Sequence, residues 1–162
     1  MDKHTRKVMF SKSDNVWLTP LDLFDDLQKT FDLQLDPCAE KAHPLPGVAS
    51  ISVDENGLNR DWDSNTYINP PYSAIQLWVE KAIYQASKWR NSNHYVLLLP
   101  SRTGRPWFRL LLRYANAICF IEKRLKFSNS TNSAPFDSLI AVVGKRLSYP
   151  QVQVLEKYGA VI

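Results

Sequence analysis

The sequence contains few of the residues that build disulfide-bonded or metal-bound scaffolds. In 162 residues there are two cysteines, Cys38 and Cys119, and three scattered histidines. Two cysteines give neither a disulfide framework nor a zinc-ligand spacing, so we expect no metal and a reducing, cytoplasmic setting. The sequence also has no apolar run long enough to cross a bilayer, so we expect no membrane partner.

Acidic side chains are nearly missing from the second half of the chain. Residues 1–80 carry 13 acidic and 7 basic side chains, whereas residues 81–162 carry 3 and 13. Such a one-sided charge distribution favours a polyanionic partner, with nucleic acid as the first candidate. A solvated basic face is the alternative explanation. The densest basic stretch sets a single acid, Glu122, against Arg102, Arg105, Arg109, Arg113, Lys123, Arg124 and Lys126.

Length and composition are typical of one globular domain. A chain of 162 residues can bury one core, and its 44% apolar and 22% charged residues are ordinary for such a domain. Residues 1–15 are polar, and we expect them to form a mobile N-terminal arm. We expect no separate domain for target recognition, and a monomer or weak dimer.

The apolar pattern predicts alternating helices and strands. Thr19 as N-cap followed by Pro20 predicts a helix to about Thr30, and Ser73 with Gln76 predicts a capping box for a second helix to about Arg90. A third helix is predicted near 105–114, and strands at 31–37, 50–53, 66–68, 94–100, 117–121 and 138–143. This alternation predicts an α/β fold: a mostly parallel central sheet with helices on both faces.

Three segments follow predicted strands and should meet at one edge of the sheet. They are Asp36-Pro37, Asn69-Pro70-Pro71-Tyr72 and Pro100-Ser101-Arg102. In such sheets ligands bind beyond the carboxyl ends of the strands. We therefore expect all three segments to line one crevice.

The Asn69-Pro70-Pro71-Tyr72 segment suits the binding of an amino group. Each proline fixes its own φ and removes an N–H donor, which leaves a stiff turn rich in acceptors. The side-chain carbonyl of Asn69 and the main-chain carbonyl of Pro70 can accept the two hydrogens of an exocyclic amine, which makes its lone pair more available. Tyr72 can stack on the flat face of a base. The turn therefore predicts a site that makes the nitrogen of a conjugated amine more nucleophilic.

These motifs together resemble a known family. Asn69-Pro70-Pro71-Tyr72 matches the catalytic motif of amino-methyltransferases that use S-adenosylmethionine. The wider order of segments is similar to that of the phage-type Dam-like DNA adenine-N6 methyltransferases, over about residues 10–145. The resemblance implies a single-domain Rossmann-like methyltransferase fold and, for a phage-encoded protein, the host cytoplasm. The matching segments are VWLTPLDLFDDL, LQLDPCAE, DW, INPPYS, LLLPSRTGRPWF and RLKF.

The resemblance also implies a cofactor site for S-adenosylmethionine. Thr19 and its neighbours would hold the methionine part, Asp54 or Glu55 the ribose hydroxyls, and Asp61-Trp62 the adenine. The usual cofactor motif continues as Gly-x-Gly, but the stretch CAEKAHPLPG departs from this pattern. The full set of implied cofactor-binding residues is Trp17, Thr19, Pro20, Asp36, Pro37, Cys38, Ala39, Asp54, Asp61, Trp62 and Asn69.

Several of these side chains also have a purely structural explanation. Asp36 can be a turn residue, and Cys38 a small apolar filler. Aromatic side chains often belong to the core rather than to a ligand surface. This alternative applies to Trp17, Trp62, Trp107 and Phe108.

The implied reaction is an in-line methyl transfer to adenine N6 after the base has been flipped out of the duplex. Loops at 40–60 and 123–136 would read the DNA sequence. Three alternatives remain: an enzyme acting on RNA, one acting on a protein glutamine amide, and a non-catalytic nucleic-acid-binding relative. The side chains expected to contact DNA phosphates are Ser101, Arg102, Arg105, Arg124 and Lys126.

Overall fold

The computed structural model of the protein describes residues 16–162, so the predicted N-terminal arm at 1–15 lies outside the described residues. No helix within 16–162 is both long and apolar enough to cross a membrane. The four α-helices and seven β-strands of this range are, in chain order, α1 (Leu21–Phe31), β1 (Leu35–Ala39), β2 (Ala49–Ser52), β3 (Thr66–Ile68), α2 (Ile75–Lys88), β4 (His94–Pro100), α3 (Pro106–Tyr114), β5 (Ala115–Ile121), β6 (Ser138–Gly144), α4 (Tyr149–Glu156) and β7 (Gly159–Val161).

The seven strands form one mixed sheet in the order β2-β1-β3-β4-β6-β5-β7. β2, β1, β3 and β4 are parallel, whereas β6 pairs antiparallel with both β4 and β5, and β7 pairs antiparallel with β5. The prediction of a mostly parallel sheet is therefore correct for one half and wrong for the other. The reason is the connection at 122–137, which carries no helix and lets β5 and β6 pair as antiparallel neighbours.

Helices cover both faces of the sheet, as predicted. Leu97 and Leu99 of β4 pack on one face with α2 and α3, while Val96 and Leu98 pack on the other face with α1 and α4. Every residue of β4 is buried, which confirms that its continuous apolar run is a strand covered on both faces. Trp107 and Phe108 belong to the first of these clusters, so their structural explanation is the correct one.

Both predicted helix caps are wrong. Pro20 occupies the N-cap position of α1 and Ala74 that of α2, and neither helix start has a side-chain cap hydrogen bond. The Thr19 hydroxyl instead lies 3.0 Å from the hydroxyl of Tyr67. At the second helix, Tyr72–Ala74 forms a 3-10 turn that delays α2 to Ile75. At Thr19, a buried polar partner thus competes successfully with local capping.

The strand predicted at 31–37 lies further along the chain. Phe31 is the last residue of α1, and Asp32 ends the helix in the left-handed region at φ 50°. β1 then continues through Pro37 to Ala39, and its register with β2 shifts between Asp36 and Ala39. Pro37 has no N–H to donate, so an irregular ladder is expected there. The elements α4 and β7 were not predicted.

Candidate active site

A cavity of about 520 Å³ opens at the carboxyl ends of β1 and β3. The predicted residues that the fold brings together there are Trp17, Thr19, Asp36, Cys38, Asn69, Pro70 and Pro71. Pro20, Pro37, Ala39 and Tyr72 adjoin this wall through the chain but do not line it. The rest of the lining is Val16, Leu18, Leu21, Glu40, His43, Pro44, Leu45, Ser128 and Asn129.

The orientation of the Asn69 side chain is fixed by two hydrogen bonds. Its amide nitrogen donates to the carbonyl oxygen of Trp17 at 2.5 Å and to the hydroxyl of Thr19 at 3.0 Å. Because both donors point at the segment 16–19, the carbonyl oxygen Oδ1 points the opposite way. Pro70 follows directly and supplies no N–H. The geometry is that of an acceptor held in place before any ligand arrives.

The Thr19 hydroxyl and the Trp17 carbonyl are used inside the protein. Thr19 is buried, and its hydroxyl lies between the phenol of Tyr67 and the amide of Asn69. The cofactor role predicted for Thr19 stays a prediction, since the residue lines the cavity but its hydroxyl already has two partners within the protein. Its partners assign it a positioning role towards Asn69. Pro20 lies on the far side of the same segment, where it lines a second pocket.

Asp36 places a buried carboxyl in the cavity wall. Burial raises its pKa from 3.8 to about 6, and the backbone N–H of Cys38, 3.1 Å from Oδ1, opposes that rise. Burial also raises the pKa of the Cys38 thiol, and the neighbouring Asp36 carboxylate adds to the effect. A protonated thiol is a poor nucleophile, so Cys38 serves as a small wall residue. A carboxyl group that is buried away from water in this way can bind a cationic group.

Tyr72, the last residue of the Asn69-Pro70-Pro71-Tyr72 turn, lies in an aromatic group. Its ring is stacked on that of Trp17 at 6.5 Å between centroids, and meets Phe136 edge-on at 5.4 Å. The side chain is only 8% exposed, and its hydroxyl has no hydrogen-bond partner among residues 16–162. Burial raises the phenol's pKa, and the positive charge of Arg102 opposes the rise. Tyr72 is thus held among rings, next to an arginine.

Ser128 and Asn129 complete the wall and were not predicted individually. Ser128 donates from its hydroxyl to the carbonyl of Thr19 at 2.8 Å. Asn129 accepts from the N–H of Leu18 at 3.0 Å and donates to the carbonyl of Val16 at 2.8 Å. These bonds hold the segment 16–19 against the loop between β5 and β6. The only available signal was the amide-rich composition of 123–136.

The structure does not bring Asp54, Asp61 and Trp62 into the cavity. Trp62 is fully buried, stacks on Trp78 at 5.8 Å and donates from its indole to the carbonyl of Gly57 at 3.0 Å. Asp61 is 54% exposed and paired with Lys88 at 2.6 Å. Trp62 is therefore a core residue, and its ring has no free face for an adenine. Asp54 follows β2 at the same sheet edge but is exposed outside the cavity.

The residues predicted to contact DNA lie along the same edge but not in one patch. Ser101 follows β4, and its N–H donates to the carbonyl of Asp137 at 2.7 Å. Arg102 and Arg105 are exposed in the turn that leads into α3. Arg124 and Lys126 instead line a second pocket, of about 360 Å³, together with Lys123 and Lys157. Within 16–162, no three or more His, Cys, Asp or Glu side chains are grouped to bind a metal.

Comparisons with known proteins agree with the chemistry of this edge. A family described as DNA N-6-adenine-methyltransferase (Dam) matches residues 6–152. A curated protein of Escherichia phage T1, described as a DNA N-6-adenine-methyltransferase, is 30% identical over 114 residues. The matched part is 68% of this chain and 46% of the relative, so the chain spans about half the length of that protein.

Proposed function

Since this chain belongs to the Dam family of DNA N-6-adenine-methyltransferases, we propose that it transfers a methyl group from S-adenosylmethionine to the N6 amino group of adenine in DNA. The recipient nitrogen is conjugated with the purine ring, which makes its lone pair a weak nucleophile. A catalyst must therefore localise that lone pair, orient it and exclude water. The residues around the cavity are suited to each of these tasks.

The Asn69 amide is the observation that carries the proposal. Its two donors are bound to Trp17 and Thr19, so Oδ1 and the Pro70 carbonyl are the groups that the turn offers to a ligand. Two acceptors side by side match an amine with two hydrogens. They would reject a ring nitrogen or a carbonyl, because those groups have no hydrogen to donate. The turn thus selects an exocyclic amino group.

The cavity also fits a cationic cofactor. S-adenosylmethionine, when bound, supplies an activated methyl group on a positively charged sulfur. Asp36 is the buried carboxyl in the wall, and a cation beside it would restore the charged form that burial disfavours. The volume of about 520 Å³ lies within the range of small-molecule sites. Asp36 would bind the positive end of the cofactor, and Cys38 and Pro71 would pack against it.

The protein's contribution to the chemistry is positional. Asn69 Oδ1 and the Pro70 carbonyl hold the amine so that its lone pair faces the methyl carbon. The new N–C bond forms as the S–C bond breaks, and the nitrogen then loses a proton to water. No strong base is needed, because that proton becomes acidic only after methylation. Trp17 lines the cavity and supplies an aromatic ring on which a purine could stack, while Tyr72 packs behind it.

The target adenine must leave its duplex to reach this edge. The acceptor turn lies in the wall of a cavity, and a stacked base cannot enter one. We therefore infer that the base is flipped out before transfer. Ser101, Arg102, Arg105, Arg124 and Lys126 are proposed to bind the flanking backbone, because these side chains border the same sheet edge.

The test is methyl transfer with a free choice of substrate. Purified protein is incubated with radiolabelled S-adenosylmethionine and equal amounts of DNA, RNA and a glutamine-rich protein mixture. We expect label in DNA alone, and N6-methyl-2′-deoxyadenosine as the modified nucleoside by mass spectrometry. Label in RNA or in protein would overturn the choice of substrate. Binding of DNA or RNA without methyl transfer to any of the three substrates would identify a non-catalytic nucleic-acid-binding relative.

A further inference from the structure

We propose that α3 guides one strand of the DNA away from the catalytic turn, with Arg105, Arg109 and Arg113 each facing a backbone phosphate. The inference rests on the proposed function for the identity of the polyanion. It adds the path that the strand follows, and it adds two side chains, Arg109 and Arg113, to the binding surface.

Arg109 and Arg113 lie on the solvent face of α3, and Arg105 is the N-cap residue directly before it. The opposite face of the helix is buried through Trp107, Phe108 and Leu111. Arg105, Arg109 and Arg113 are four residues apart and all exposed. Side chains at that spacing lie one above another on a helix. The helix therefore presents one line of positive charge.

No carboxylate neutralises this line. The ion pairs among residues 16–162 join Lys29 to Asp25, Lys88 to Asp61, Arg124 to Asp137 and Lys157 to Asp26, and none involves an arginine of α3. The helix itself contains no acidic residue.

The arrangement also works against the stability of the helix. Like charges four residues apart repel, and Arg105 at the N-cap faces the positive end of the helix dipole. A face that served only for solubility would mix charges of both signs. An external polyanion is the partner that makes this arrangement favourable.

The line begins at the active site. The charge of Arg102 acts on the phenol of Tyr72, in the catalytic turn. The backbone N–H of Arg105 donates to the carbonyl of Arg102 at 3.2 Å, so the two arginines belong to one tight turn. From Arg102 to Arg113 an arginine recurs every three or four residues, and no acidic residue lies between them.

The length of the line suits a nucleic-acid strand. Eight residues of helix from Arg105 to Arg113 rise about 12 Å, at 1.5 Å per residue. Along a strand of B-DNA that distance covers three to four phosphates, at roughly 3.4 Å of axis per phosphate. Three arginines can thus meet three phosphates without bending the strand.

The experiment is a salt titration of duplex binding, measured by fluorescence anisotropy without cofactor. The substrate is a labelled duplex of thirty base pairs. The test variant is R109A/R113A, and R109K/R113K keeps the charge. The matched control is K145A/R146A, which removes the same charge from two exposed residues that follow β6 at the opposite edge of the sheet. Circular dichroism verifies that each variant is folded.

We expect the slope of log K against log salt to become shallower by about 1.8 in R109A/R113A, from about 0.9 for each lost phosphate contact. The ratio of the wild-type affinity to the R109A/R113A affinity should then fall about 12-fold between 50 and 200 mM salt. R109K/R113K and K145A/R146A should keep the wild-type slope.

An unchanged slope in R109A/R113A would overturn the proposal, and so would an equal change in K145A/R146A, which would indicate a general field effect. Methyl transfer by the wild-type protein is scored separately. A shallower slope without any transfer would therefore support the strand path while rejecting the proposed enzyme activity.

Discussion

Asn69 is the residue on which the proposed reaction depends most. Its side chain combines two functions, because the nitrogen is anchored to the segment 16–19 and the oxygen is presented to the ligand. Asn69→Ala should lower turnover at least a hundredfold, since the loss of one positioned polar contact at a reacting centre raises the barrier by about 2.7–4 kcal/mol. Cofactor affinity, measured by calorimetry, should barely change.

Thr19 provides the matched control for Asn69. Thr19→Ser keeps the hydroxyl that receives the Asn69 amide and should retain most of the activity. Thr19→Val removes the hydroxyl but leaves Oδ1 in place, so its loss should be smaller than that of Asn69→Ala. If Asn69→Ala turns over within tenfold of the wild type, the amine is held by some other group.

Asp36 should make the folded protein more stable at acidic pH, which is the opposite of the usual effect of a carboxyl group. Because burial raises its pKa from 3.8 to about 6, the folded state binds the extra proton between these values. Stability should therefore fall as pH rises from about 4 to 6, by up to about 3 kcal/mol for this group. Asp36→Asn stays neutral and can still accept from the Cys38 N–H, so its unfolding free energy should lack this fall. Urea unfolding at pH 4, 5, 6 and 7 measures the difference between the two proteins. Parallel pH profiles would mean that Asp36 ionises freely.

At the scale of the secondary-structure elements, the loop between β5 and β6 holds the segment 16–19, which in turn binds the Asn69 amide. Asn129 holds both Leu18 and Val16, and these lie beside the Trp17 carbonyl that anchors Asn69. Asn129→Ala should cost about 1–3 kcal/mol of stability for two lost hydrogen bonds. It should also lower turnover, because the segment 16–19 is no longer fixed. Ser130→Ala, one residue on, loses only a contact within the loop to Asn132 and serves as the control. Equal activity of the two variants would show that the loop does not position the turn.

The segment before β3 is structural, and its two prominent residues should behave differently. Trp62→Ala empties a fully buried site between Trp78 and Tyr95 and should cost about 3–5 kcal/mol. Asp61→Ala breaks an exposed ion pair with Lys88, which is worth about 1 kcal/mol or less, and a 3.3 Å hydrogen bond from the Gln85 amide. Thermal unfolding measures both. A clear loss of cofactor affinity in folded Asp61→Ala would return this acid to the binding site.

The elements that sequence reasoning predicted well are those with a strong local pattern. β4 has a continuous apolar run, and the Asn69-Pro70 turn has prolines that restrict its backbone, so both lie where predicted. The first helix cap failed because the Thr19 hydroxyl has a tertiary partner in Tyr67, and the second because a 3-10 turn at Tyr72–Ala74 precedes the helix. Ser128 and Asn129 left no local signal, since their contacts span more than a hundred residues. For Trp62, by contrast, the sequence motif predicted a contact with a ligand, whereas the side chain is fully buried in the core.

At the scale of the whole molecule, both cores share one sheet and should unfold together. Leu97 belongs to the core under α2 and α3, and Leu98, its neighbour on β4, to the core under α1 and α4. Leu97→Ala and Leu98→Ala should each lower the unfolding free energy by about 2–5 kcal/mol. Each should therefore lower the denaturant midpoint of a single transition without changing its slope. Tryptophan fluorescence reports the first core, where Trp62, Trp78 and Trp107 lie, while circular dichroism reports all elements. Two separate transitions would reveal two folding units instead of one domain.

The contact between Asn129 and the segment 16–19 has a consequence for protein synthesis. The catalytic turn at Asn69 leaves the ribosome early, but the side chain that holds its anchor is encoded 111 residues after Leu18. Asn129 follows Asn69 by 60 residues. At about 5–20 residues per second, a nascent chain therefore spends roughly 3–12 s with the turn synthesised and Asn129 not yet added. In such an incomplete chain the segment 16–19 lacks its hydrogen bonds to Asn129. We therefore expect a chain that stalls before the loop after β5 has emerged to show no methyl transfer.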